Sequence, residues 1–273
     1  MKFFNLFGRL KSNVIGMIHV GALPGTPLNR ATISEITEEA CREAEIYHHA
    51  GLDGLIIENM HDIPYTLEVG PEVCASMTAM CAAVRGLYPS WPLGVQILSA
   101  ANQSALAVAL ASGLDFIRAE GFVFSHVADE GLLNACAGEL LRYRRSIGAE
   151  HIQIFTDIKK KHSAHALTSD VSIAETAQAA EFFLSDGVIV TGTATGAQAD
   201  PEELRGESVY LTEKQIELKL QAAMNGPSHP GSPPAGGFSK TVNGEQYGFK
   251  VVNIGGICQS HLYVAIFLLP KIE

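Results

Sequence analysis

The chain has 273 residues, 47% of them hydrophobic, with 19 Lys plus Arg against 29 Asp plus Glu and a formal net charge of -10. That length suits one large α/β domain or two small ones, and the apolar share is enough for a sizeable core. The acidic balance excludes a nucleic-acid binder, which needs clustered Lys and Arg, and the only basic run, KKK at 159–161, is too short for such a footprint.

Residues 1–13, MKFFNLFGRLKSN, are basic, lack acids and are partly apolar. They are short and poor in serine for a transit peptide, so they read as a lead-in segment. A cytoplasmic address is expected, with a mitochondrial one as the alternative. The first apolar run, VIGMIHV at 14–20, ends on His19 and a loop of glycines and prolines. Five more β-rich runs follow: GLIIENM (54–60), LGVQIL (93–98), FIRAEGF (116–122), IQIFTDI (152–158) and GVIVTG (187–192). Between them, residues 32–49, 71–87, 102–112, 129–147 and 172–185 carry apolar stripes near helical spacing, such as Val73, Met77, Met80 and Val84. Start signals agree. Pro71 suits a first helical turn, Asn102 suits a cap, and Ser172 with Glu175 has capping-box spacing. Cys41, Cys74, Cys81 and Cys136 fall mostly on helix faces, and with Cys258 they form an odd set without CxxC. Reduced thiols in an intracellular protein are expected.

Three helix-to-strand joints share one form: AGLDGLII (50–57), SGLDFIR (112–118) and LSDGVIV (184–190). Each ends a helix, turns on an aspartate and starts an apolar strand. The recurring unit implies parallel strands with right-handed crossovers, wound as an open sheet or closed as a barrel. No strand carries GxGxxG, so a dinucleotide fold has little support. After about residue 205 the character changes. LTEKQIELKLQAAM (211–224) has helical periodicity, NGPSHPGSPPAGGFSKTVNG (225–244) reads as a loop or disordered linker, and FKVVNIGGI (249–257) reads as a strand. YVAIFLL (263–269) is too short to span a bilayer, so no transmembrane segment is expected.

In a β/α barrel, function gathers where strands hand over to the loops leading into helices. Read in order, those ends carry His19, then Glu58, Asn59 and Asp62, then Gln96, Arg118 and Glu120, Asp157 and Lys159, and Thr191 and Thr193. Burying so many polar groups in one ring costs free energy unless they pair or meet a ligand. Side-chain alternation puts Arg118 with Glu120, and Asp157 with Lys159, on shared sides. The pairs are either an ion-pair network closing the mouth or an acid/base set with a cation for an anionic substrate. Lys159, if desolvated, is also a candidate Schiff-base nucleophile. In ENMHDIPY (58–65), His61 and Asp62 are candidate ligands for a divalent metal, and a polar loop held by Asx turns explains the same letters. The small-residue loop TGTATG (191–196) offers amides to a phosphate.

Together VIGMIHVGALPGTP (14–27), GLDGLIIENMHDIPY (51–65), FIRAEGF and DIKKKHS (157–163) resemble the BtpA family, in order, over roughly residues 3–204. The resemblance implies a TIM-type barrel, grouped with barrels that bind phosphorylated small molecules such as ribulose phosphates. It marks His19, Glu58, Asn59, Asp62, Arg118, Glu120, Asp157 and Lys159 as family-like pocket residues. The family takes its name from photosystem I biogenesis, which makes a non-catalytic assembly or stability factor the rival reading. It also implies two further β/α units, which the tail does not carry. The expectation is therefore a barrel core at 1–205 and a divergent segment at 206–273, with the barrel incomplete at strands seven and eight. An open edge would be covered by a protein partner or a second copy, or the chain is an inactive splice variant of an active barrel. The leading reading is an enzyme or enzyme-derived protein acting on a small anionic metabolite. Its acid/base set is Glu58, Glu120, Asp157, Lys159 and His19, and its substrate contacts are Asn59, Gln96, Arg118, Thr191 and Thr193.

Overall fold

The computed structural model describes residues 2–8 and 13–191, and the backbone of three strands at 237–242, 245–250 and 265–268. In chain order the elements are α1 (Lys2–Phe7), β1 (Ile15–His19), α2 (Ile33–His49), β2 (Gly54–Glu58), α3 (Pro71–Leu87), β3 (Leu93–Gln96), α4 (Asn102–Ser112), β4 (Phe116–Ala119), β5 (His126–Ala128), β6 (Gly131–Leu133), α5 (Ala137–Ser146), β7 (Gln153–Ile158), β8 (Ser163–Ala164), α6 (Ile173–Phe182), β9 (Gly187–Val190), β10 (Gly237–Val242), β11 (Glu245–Lys250) and β12 (Ala265–Leu268). The main sheet runs β1-β2-β3-β4-β7-β9-β12. Its first six strands are parallel, and β12 lies antiparallel on β9 with Ala265 opposite Val190. Strands and helices alternate as in a TIM-type barrel, with an antiparallel strand where a seventh parallel one would stand. Among the described residues the sheet keeps two ends, β1 and β12.

Alternation along each strand sorts the apolar residues into two cores. One set faces the helices: Ile18, Leu55, Ile57, Val95, Ile117, Ile154 and Val188 pack with residues such as Met77, Met80, Leu106 and Leu140. The other set faces inward: Ile15, Met17, Ile56, Phe116, Phe155 and Ile189 pack around Phe3. The lead-in helix α1 therefore plugs the bottom of the barrel, with Phe3 edge-on to Phe155 at 6.0 Å and Phe7 tilted on Phe116 at 6.1 Å. Gly94 stands where it does because a Cβ there would sit 2.3 Å from the Phe116 ring.

The three repeated joints have one physical job. Each aspartate accepts the N–H at the start of the neighbouring strand: Asp53 from Val14 (2.8 Å), Asp115 from Leu93 (2.9 Å) and Asp186 from Ile154 (3.0 Å). Arg85 adds a second clamp on Asp115, and Arg144 one on Asp186. The repeat sets the stagger between strands as well as turning the chain.

Helix boundaries follow the start signals with two exceptions. The boxes Thr32/Glu35 and Ser172/Glu175 are formed, and Pro71 opens α3. Asn102 is not a cap; the cap position is Ala101, and the Asn102 amide instead holds the backbone of Glu120. The helix expected over 129–147 begins only at Ala137. Before it, β5 and β6 form a hairpin around Gly131 at φ 112, and β5 also pairs with β8. That partner comes from the loop after β7, so a non-local pairing overrides local helical preference. Cys41, Cys74, Cys81 and Cys136 are unbridged thiols, and burial pushes Cys81 up to about 12. In the tail, residues 237–242 of the expected loop form β10, paired antiparallel with β11. The helix expected at 211–224 and most of the strand expected at 249–257 lie outside the described residues. No helix among the described residues is long and apolar enough to cross a membrane.

Candidate active site

The inward parity that builds the aromatic plug continues upward. Two residues beyond Met17, Ile56, Gly94, Phe116, Phe155 and Ile189 come His19, Glu58, Gln96, Arg118, Asp157 and Thr191. The strand-end residues are thus one layer of the barrel interior. His19, Glu58, Gln96, Arg118 and Asp157 are all buried.

Charges in this layer are paired. His19 Nε2 lies 3.0 Å from Glu58 Oε2. Arg118 grips Asp157 through two parallel bonds, Nε to Oδ1 at 2.9 Å and Nη2 to Oδ2 at 2.8 Å. Glu120 takes the Ala100 N–H at 2.9 Å and meets Lys160 Nζ at 3.1 Å. The two glutamates are driven in opposite directions. Burial pushes Glu120 above its ordinary range, and the charge of Asp157 adds to the push; Lys160, Arg118 and the Ala100 N–H offset only part of it. Burial also raises Glu58, but the His19 hydrogen bond and the charges of Arg118, His19 and Lys161 outweigh it and hold Glu58 below that range. Two carboxylates with environments pushing them apart can split proton donor from proton acceptor. Gln96 Oε1 is buried with no partner among the described residues, so the layer keeps one unused acceptor.

Several predicted site residues stand elsewhere. Lys159 leaves the layer. Strand β7 ends at Ile158, Lys159 turns to φ 47, and its ammonium donates to Thr168 O (2.7 Å) and Oγ1 (3.0 Å). The alternation that paired it with Asp157 stops where the strand stops. Its neighbours take its place: Lys160 reaches Glu120, and half-buried Lys161 feels Glu58, Asp157, Glu120 and Arg118. Burial first, then the Arg118 charge, pull Lys161 below the usual lysine range. Asn59 is occupied as a loop clamp. Its amide bonds Asp62 Oδ2 (2.9 Å) and both backbone groups of Leu98. Asp62 spends its other oxygen on the Leu23 N–H (2.7 Å) and the Thr26 hydroxyl (3.1 Å), tying the loop after β1 to the loop after β2. His61 is exposed, and among the described residues no group of three or more His, Cys, Asp or Glu can hold a metal. Both Asp62 oxygens are thus engaged in hydrogen bonds that tie loops together, rather than in the Asx turns expected of ENMHDIPY. Thr191 accepts the Lys161 N–H at 2.9 Å, and Thr193 lies outside the described residues.

Lys160, Lys161, Asn102, Tyr65 and His126 were missed. The KKK run at 159–161 holds the signal for the two lysines. Tyr65 is half-buried and feels several of the same carboxylates. Burial, then the charges of Glu58, Glu130, Glu120 and Asp62, push it up to about 12, and its hydroxyl donates to Met60 O at 2.7 Å.

The match to known proteins covers this whole ring. A family model described as "BtpA family" matches residues 10–216. This chain belongs to the BtpA family. An uncharacterised mitochondrial protein of Caenorhabditis elegans is 56% identical over 196 residues, 70% of this chain and 71% of that protein. The photosystem I biogenesis protein BtpA of Synechocystis is 33% identical over 222 residues, 77% of this chain and 76% of that protein. Among solved structures, a 2,3-dimethylmalate lyase of the PEP mutase/isocitrate lyase superfamily superposes with a TM-score of 0.45 at 13% identity, over 70% of this chain and 61% of that one. The chain thus spans less than two thirds of that lyase. The BtpA match ends within residues 192–236, which lie outside the described residues, so it includes every strand from β1 to β9.

Proposed function

We propose that this BtpA-family barrel is an enzyme that moves a proton on a small anionic metabolite bound at the carboxyl ends of its strands. The observation that carries the reading is the pair of buried glutamates pushed in opposite directions, Glu58 in the inward layer and Glu120 two residues beyond Arg118 of that layer. In this reading Glu120 carries the transferable proton, because burial raises its pKa above the ordinary carboxylate value. Glu58, held ionised beside His19, is the complementary base. Arg118 and Lys161 hold the substrate's negative charge, and Asp157 fixes the plane of the guanidinium. Gln96 orients a donor on the substrate through its unused oxygen. A phosphate or a carboxylate would satisfy the cations equally.

The assembly-factor reading has one support of its own, the printed role of the Synechocystis relative in photosystem I biogenesis. A mitochondrial address for this chain rests on the name of the nematode relative. A partner or second copy completing the sheet beyond β12 remains part of either proposal.

The test is a thermal-shift screen of the purified chain against small phosphorylated and carboxylate metabolites, with and without Mg²⁺, Mn²⁺ or Zn²⁺. A ligand that binds only the folded state raises the melting temperature by mass action. The enzyme reading expects a hit that disappears in Arg118→Met and is retained, without turnover, in Glu120→Gln. A cooperative melt with no hit in the whole panel sinks it in favour of the assembly factor.

A further inference from the structure

The small sheet β6-β5-β8 sits over the ends of β4 and β7, since its strands come from the loops that follow those two. Its cleft is lined by Gly121, His126, Asp157, Lys159, Lys160 and Thr168, among others. Asp157 also belongs to the charged layer, so the cleft and the proposed active site share this residue as a wall.

His126 is the unusual member. It is only 6% exposed, its ring lies by the Phe124 backbone, and its Nε2 has no hydrogen-bond partner among the described residues. With the ring proton on Nδ1, toward the Phe124 backbone, Nε2 carries a bare lone pair. Burial, then the charges of Lys160 and His165, hold the ring neutral, down to about 4. Neighbouring His165 differs, because its Nε2 bonds Lys160 O at 2.9 Å. Buried acceptors without partners are rare and costly, and each calls for an explanation.

The lysines call for the opposite charge. Lys159 uses two of its three donors on Thr168, which leaves one for a ligand, and Lys160 brings a second ammonium to the cleft, 3.1 Å from Glu120. The cleft therefore presents cations that suit an anion and one acceptor that suits a hydroxyl. A bare anion meets only the first demand. We infer that this cleft is a subsite for a hydroxyl-bearing anion, with the hydroxyl donating to His126 Nε2 and the negative group lying against Lys159 and Lys160. The inference rests on the proposed function and narrows its substrate class.

The experiment uses glycolate and acetate, carboxylates with and without the hydroxyl, titrated into the full chain with ¹⁵N-labelled histidine. Glycolate should move the His126 ring-nitrogen signals saturably and bind at least about tenfold more tightly than acetate. His126→Phe should erase that preference, and His126→Gln, which keeps an acceptor, should restore part of it. Equal affinities, or a preference untouched in His126→Phe, overturn the subsite. If both anions bind equally and both are lost in Arg118→Met, the subsite falls while the broader enzyme reading stands. Should His126→Phe fail to fold, the wild-type titration decides alone: His126 signals that stay still under saturating glycolate overturn the inference. Absence of binding by either anion overturns it too, and the metabolite screen then judges the enzyme reading separately.

Discussion

The two ends of the same six strands are built from opposite materials. At the bottom, inward residues are aromatic and aliphatic, sealed by Phe3 and Phe7 of α1, and the turns carry three aspartates that clamp strand starts. At the mouth, the next inward layer is His19, Glu58, Gln96, Arg118 and Asp157. The bottom gains free energy from burial, whereas the mouth costs desolvation that pairing only partly offsets. A barrel stabilised at one end can keep a polar layer at the other.

Substitutions at the two ends should therefore behave differently. The largest effect is expected at the plug. Phe116→Ala removes a fully buried ring touching Phe155 and Phe7, and should cost about 3–5 kcal/mol in urea unfolding. Any anion binding at the mouth should persist in whatever fraction stays folded. A loss below about 1 kcal/mol would mean the plug is not the stabilising end. Next comes the register clamp. Asp115→Ala strips partners from Arg85 and the Leu93 N–H and should cost about 1.5–3 kcal/mol. Amide hydrogen exchange should speed up first along β3 and β4.

Smaller effects are expected at the mouth, with the opposite trade. The raised Glu120 holds its proton in the folded chain to higher pH than in the unfolded one. Its contribution is therefore fully present below the ordinary value of 4.5 and is lost as pH rises from there through the folded-state value. Wild type should lose stability relative to Glu120→Gln over that rise, and melts at a series of pH values read the difference. A difference that is flat with pH would remove Glu120 as the site's proton carrier. The smallest stability change belongs to Lys161→Met, within about 1 kcal/mol of wild type, because removing the ammonium also removes its desolvation cost. The same variant should lose most anion affinity by calorimetry, and unchanged affinity would take Lys161 out of the site.

How far the sequence could be read depended on the range of the interactions involved. Strands ending on polar residues, capping boxes and the Asp-bearing joints are local patterns, and α3 spans the predicted residues 71–87 because Pro71 and an apolar stripe act within a few turns. Period-two parity pairs Arg118 with Glu120 and Asp157 with Lys159 in the sequence, and for the second pair it stops where β7 ends at Ile158. Two of the misses involve partners from other parts of the chain. Residues 126–133 became a hairpin because β8 lies beside them, and Asn102 left its cap for the Glu120 backbone.

The sequence by itself determined the β/α order, the family and the set of residues at the strand ends, since periodicity and turn chemistry are written over short spans. Only the tertiary structure decided which of those residues face the same space. Lys159 turns away at φ 47 while Lys160 and Lys161 turn in, and Asn59 and Asp62 are consumed in tying two loops together. Parity holds only while a strand lasts. One residue beyond its end, the backbone is free to rotate, and the direction of a side chain is settled by the partners that folding brings to it.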